Sequence, residues 1–83
     1  MVWNSRIKEL VAVGASITAN CQPCLQYHTS KALELGASVG EIAAAIATGQ
    51  QVRQGAHAEM DRFASEVKAG LRTPGAKEPT CCG

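Results

Sequence analysis

The residues able to do chemistry are concentrated in one stretch, Cys21-Gln22-Pro23-Cys24-Leu25-Gln26-Tyr27-His28. Two thiols three positions apart at the start of a helix can close a disulfide across one turn. A helix N-terminus also favours thiolate over thiol, so a cysteine placed there is the more reactive for it. His28 follows Cys24 by four residues, which puts both side chains on one helical face within mutual reach. An imidazole beside a thiol can take its proton or stabilise its anion. These are the parts of a thiol redox centre. The same donors allow a second chemistry. Two thiolates and an imidazole (Cys21, Cys24, His28) make three of the four ligands of a tetrahedral zinc, and Cys81 or Cys82 could supply the fourth. Structural zinc sites draw their ligands from two well-spaced pairs, whereas here the second pair is vicinal and lies at the chain end.

Length and composition bound what can position these residues. Eighty-three residues make one domain, and a chain this short buries only about 60% of the surface its unfolded form exposes. The sequence is 46% hydrophobic but only 4% aromatic, so its core must be built from Ala, Val, Ile and Leu. Eight Lys and Arg against seven Asp and Glu leave a net charge of +1, which argues against a nucleic-acid binder with a basic face. Tight cysteine pairs close loops too small to act as structural staples, so they read as redox or metal chemistry in a reducing, cytoplasmic compartment. Arg6 and Lys8 before the apolar run Leu10–Ala19 imitate a secretory leader, but Glu9 interrupts the basic region. The run is also about half the ~20 residues that a membrane span needs. Neither a leader nor a membrane association is expected.

The periodicity is helical throughout, with no sustained alternation of the kind a strand shows. From Asn4 to Ala19, Ile7, Leu10, Val11, Gly14, Ala15 and Ile17 recur at helical spacing and predict one buried stripe, capped by Asn4 or Ser5. A break at Asn20–Pro23 precedes a second helix from about Pro23 to Leu35, with Gly36 as a left-handed stop. Ser38-Val39-Gly40-Glu41 is a capping box. The helix it opens carries Ile42, Ala45, Ile46, Gly49, Val52, Ala56, Met60, Phe63, Val67 and Leu71 in one stripe, predicting a single long helix or two coaxial ones. Gly49 or Gly55 marks a kink or a close crossing. Arg53, Glu59, Asp61, Arg62, Glu66 and Lys68 read as its solvated face, and His57 as a surface or interface residue. Thr73-Pro74-Gly75 and Pro79 divide the chain into a helical domain, 1–72, and a C-terminal tail, 73–83. The expected architecture is all-α: a helical hairpin with Cys-x-x-Cys at the start of its second helix, plus a long third helix, in an oligomeric bundle.

At this point the sequence resembles the alkylhydroperoxidase D and carboxymuconolactone decarboxylase-like proteins. The resemblance rests on Cys21-x-x-Cys24-x-x-x-His28, on Glu9 twelve residues before Cys21, and on Leu35-Gly36-Ala37 leading into Glu41-Ile42. It spans roughly Ile7 to Met60. It implies an all-helical, oligomeric protein. It also implies that Cys24 attacks a peroxide, Cys21 resolves the sulfenic acid to a disulfide, His28 shuttles protons between them, and Glu9 forms the far end of the relay. One departure is Pro23, where peroxidase members often carry a further histidine before the second cysteine. Decarboxylase members generally lack the cysteine pair, so decarboxylation is not what the resemblance implies here.

The expectation is therefore a thiol-dependent peroxidase or disulfide reductase, a homo-oligomer acting on peroxide and recharged by an external dithiol. No organic cofactor is expected, because the chain has no Gly-rich dinucleotide or phosphate loop. The alternative is a soft metal or metalloid binding protein using Cys21, Cys24, His28, Cys81 and Cys82. A third reading is an interaction module whose thiols are vestigial. Cys81 and Cys82 themselves read either as incidental or as a flexible arm delivering electrons by thiol exchange.

Overall fold

Asn4, Cys21 and Ser38 each open a helix, and these caps divide the chain. The computed structural model describes residues 3–71, so the expected tail 73–83, with Cys81 and Cys82, lies outside the described residues. Helix α1 runs Ser5–Thr18, α2 Gln22–Glu34 and α3 Val39–Gly70, with no strand among the described residues. Asn4 Oδ1 accepts from the Ile7 N–H at 2.9 Å, which satisfies one of the free donors at the start of α1. Gly36, at φ 91°, turns the chain out of α2 in the left-handed region that glycine enters without penalty. The Ser38 hydroxyl accepts from Glu41 N–H while the Glu41 carboxylate accepts from Ser38 N–H, completing the capping box. That backbone donor, and then the Arg6 guanidinium, hold the Glu41 carboxyl below its ordinary range. The Arg6–Glu41 ion pair ties the first turn of α1 to the first turn of α3.

The core is small. Val13, Ala32, Ala37 and Ile42 are buried, and Leu10, Leu25, Ala45 and Ile46 pack partly against them. On α1 the buried positions are Glu9, Val13 and Ser16, so the expected Ile7-to-Ile17 stripe is displaced. The reason is that α1 is held between two partners. Its Glu9–Val13–Ser16 face turns inward, and much of the predicted stripe (Ile7, Leu10, Val11, Gly14, Ala15) lines an open apolar groove between α1 and α3. The long stripe on α3 is likewise buried only at Ile42 and Gly49. Every residue from Gln54 to Leu71 is exposed, Met60, Phe63 and Val67 among them.

Helix α3 is one continuous element and far longer than its partners. Its 32 residues span about 48 Å at the α-helical rise. The described chain accordingly has a radius of gyration of 18.9 Å, against about 12 Å for a compact chain of this length.

Of Gly49 and Gly55, the two glycines in the middle of α3, Gly49 makes the close crossing. A Cβ there would lie 2.4 Å from the Gly14 carbonyl oxygen and 2.9 Å from Ile17 Cβ, whereas one at Gly55 would meet nothing. Since the obstruction at Gly49 is backbone, α1 and α3 must separate to accept a methyl group. Gly49→Ala is expected to destabilise by a net of about 1–2 kcal/mol, overpacking outweighing the gain in helix propensity. That corresponds to a melting temperature lower by roughly 5–15 °C. Gly55→Ala is expected to move it the opposite way. Thermal melts of the two variants check both signs.

Candidate functional site

The site forms where the α1–α2 turn hands the chain into α2. Cys21 N–H donates to the Ser16 carbonyl at 3.0 Å and Asn20 N–H to that of Ile17 at 3.1 Å. Asn20 itself sits at φ 55°, a left-handed conformation that asparagine tolerates better than most residues. This turn delivers Cys21 to the N-cap of α2, where its sulfur accepts from the Cys24 N–H at 3.2 Å. Pro23 fits the first turn because its missing N–H would have had no intrahelical partner. Cys21 and Cys24 are joined as a disulfide, with Cα atoms 5.2 Å apart. The Cys24 residue is exposed and Cys21 is half-buried. Both sulfurs lie at the N-terminal end of α2, Cys21 at the N-cap and Cys24 in the first turn, where the orphan N–H groups favour negative charge.

One turn further along α2, His28 meets Glu9 of α1. The His28 Nδ1 to Glu9 Oε2 distance is 3.0 Å, and Oε1 lies 3.4 Å away. Glu9 is only 8% exposed, which makes it a buried carboxylate rather than a surface charge. Burying such a group without a partner is costly, and His28 supplies the partner. With Nδ1 taken up by the Glu9 carboxylate, Nε2 is the ring nitrogen left for proton exchange. Tyr27 stands edge-on to the imidazole with ring centroids 5.0 Å apart. Sequence spacing puts Cys24 and His28 on one face. The α1–α2 packing adds Glu9, whose contact is with the histidine.

One neighbour escaped the sequence reading. Arg53, read there as part of a solvated face, is half-buried. Its Nη1 donates to the Ile17 carbonyl at 3.4 Å and to Asn20 Oδ1 at 3.3 Å. Arg53, Asn20 and Cys21 line one cleft with Ser16 and Leu25. The available signal was position. Arg53 follows Gly49 by one helical turn, so it still lies over the end of α1. His57 is exposed, as expected of a surface residue.

Among the described residues, no group of three or more His, Cys, Asp or Glu is arranged to hold a metal ion. The metal alternative draws two of its five ligands, Cys81 and Cys82, from outside those residues. No helix among the described residues is long and apolar enough to cross a membrane.

Comparison with curated proteins and with solved structures finds no match. A family model does match, over residues 3–65, and those residues hold all three of the elements just described: the disulfide at the start of α2, the Glu9–His28 pair and the α1–α3 crossing. With most of its length covered, the chain belongs to the carboxymuconolactone decarboxylase family.

Proposed function

We propose that the protein is a thiol-dependent oxidoreductase that reduces peroxides through Cys24 and Cys21. The observation that carries this reading is the alignment along α2 of an exposed Cys24, disulfide-bonded to Cys21, with a His28 held by the buried Glu9. The Cys24 thiolate attacks one oxygen of the peroxide, the O–O bond breaks, and the departing alkoxide or hydroxide takes a proton from His28. Cys24 is then a sulfenic acid. The Cys21 sulfur attacks it, water leaves with a proton returned through His28, and the disulfide forms. An external dithiol supplies two electrons by thiol exchange and restores both cysteines. Glu9 orients the imidazole through its contact with Nδ1. Exposure of Cys24 suits the attacking role, and the half-buried Cys21 suits the resolving one.

The test is the thiol state. Mass spectrometry of the reduced protein before and after one equivalent of peroxide is expected to show loss of two free thiols, both in the Cys21–Cys24 peptide. Unchanged thiols after peroxide would refute the reading.

The same proposal takes the exposed apolar face of α3 as covered by further copies of the chain. Val52, Met60, Phe63 and Val67 continue the face that packs on α1 near Gly49, and the α1–α3 groove alongside is apolar. Light scattering at micromolar concentration is expected to give a mass of two or more chains; a stable monomer would remove this part.

A further inference from the structure

Among the described residues, Arg53 is a cation without an anion. The described residues pair Arg6 with Glu41, Arg62 with Glu59 and Lys31 with Glu34, but offer Arg53 no carboxylate. Its two bonds both leave from Nη1 and both go to uncharged oxygens, at 3.3 and 3.4 Å. The other guanidinium N–H groups have no acceptor among the described residues. A half-buried arginine in that condition keeps a fork of donors ready for a planar anion.

Its surroundings point the same way. Arg53 and Asn20 stand between two clefts. One is a groove of about 610 Å³ lined by Gln50, Gln54 and His57 together with Asn20 and Arg53. The other, of about 180 Å³, contains Cys21. No aspartate or glutamate lines either cleft. Gln50, Arg53, Gln54 and His57 share one face of α3 at spacings of three and four. This polar, acid-free face therefore leads to the cleft that Cys21 lines, with its one permanent charge, Arg53, lining the same cleft.

We infer that this groove seats the carboxylate of an anionic thiol, with Arg53 as the principal contact, so that the thiol reaches the Cys21–Cys24 disulfide from the side of Cys21. The role as reductant rests on the thiol-oxidoreductase reading; the anion site does not. In the exchange, the reagent's thiolate attacks the Cys21 sulfur, a mixed disulfide forms, and the Cys21–Cys24 bond breaks with its electron pair going to Cys24. Cys24 leaves as a thiolate at the N-terminal turn of α2, where that charge is favoured. A second thiolate then attacks the reagent's sulfur in the mixed disulfide and releases Cys21. Two electrons pass from two thiols to one protein disulfide.

The experiment compares two reagents that differ in charge, 3-mercaptopropionate and 3-mercaptopropionamide, acting on the oxidised protein at low salt. Rates of disulfide opening are read by alkylation and mass spectrometry and expressed per thiolate, for the parent, Arg53→Gln and Arg53→Lys. The ratio of the acid rate to the amide rate is expected to fall roughly tenfold in Arg53→Gln, as for loss of one charge-assisted bond. Arg53→Lys is expected to recover part of it, and added salt to erode it in the parent. An unchanged ratio in Arg53→Gln, with the disulfide still opening, would overturn the anion site and leave the thiol reading standing. A thiol-free arm separates the converse. NMR titration of the oxidised protein with propionate and with propionamide is expected to shift the Arg53 side-chain resonances with the acid alone. That selectivity without disulfide opening by either thiol would retain the site and overturn its ligand's role as reductant. Equal response to both probes would overturn the site itself. So would a change of assembly size in Arg53→Gln by light scattering, because the groove would then be a contact between copies.

Discussion

Cys24→Ser is expected to abolish peroxide consumption, while Cys21→Ser still supports a single attack and leaves a trappable sulfenic acid at Cys24. The asymmetry follows from the two positions on α2. Cys24 is exposed in the first turn of the helix, where an incoming peroxide can reach it and where the helix N-terminus favours its thiolate. Cys21 is half-buried at the N-cap, with its sulfur accepting from the Cys24 N–H. It is therefore close enough to condense with an oxidised Cys24 but less open to the first collision. Serine is nearly isosteric and cannot be oxidised to a sulfenic acid, so each variant removes one role with little change of shape. A dimedone-type trap read by mass spectrometry, together with peroxide turnover, checks both. Sulfenic acid at Cys21 in Cys24→Ser, with turnover retained, would reverse the assignment.

The second large effect is expected at His28. A general acid–base group contributes on the order of 10²–10⁴-fold, so in the proposed relay His28→Gln is expected to lose turnover in that range. It is also expected to stay folded. The glutamine amide can donate to the buried Glu9 carboxylate in place of Nδ1–H, so the carboxylate is not left without a partner. His28→Leu has no such donor. It is expected to cost several kcal/mol in stability as well as activity, because an unpaired carboxylate then remains in the core, of order 3–5 kcal/mol for a broken buried pair. Glu9→Gln is expected to lose less turnover than His28→Gln, since it acts through the histidine. Turnover and melting temperature of the same variants, with and without chelator, separate this relay from metal binding. A parent whose melting temperature falls on chelation, or full turnover in His28→Gln, would count against the relay.

Much of this organisation was readable along the chain. Cys21, Cys24 and His28 lie within one short segment, so helical geometry alone places them on one face. Asn4, Gly36 and the Ser38–Glu41 box are local signals, each satisfied by atoms within a few residues, and they mark helix boundaries without reference to the rest of the molecule. The family match likewise covers residues 3–65, which include all of these signals.

What periodicity could not settle is which face of each helix meets which neighbour. The apolar stripe of α1 was visible, yet the positions buried on that helix are Glu9, Val13 and Ser16. A polar residue can take an interior place when the opposing helix brings it a partner, and Glu9 has His28, nineteen residues away in the chain. The stripe on α3 was equally visible, but pattern alone does not say where its cover stops. The close approach at Gly14 and Gly49 holds α1 against the first half only. Arg53, at the edge of that contact, is drawn toward Ile17 and Asn20 instead of standing in solvent. Local chemistry thus determined the helices, their caps and the thiol–imidazole segment, because those depend on neighbours in sequence. The burial of Glu9 and the placing of Arg53 on the cleft that Cys21 lines were decided by tertiary structure, because a charge's environment is made by whichever distant backbone and side chains the packing brings to it.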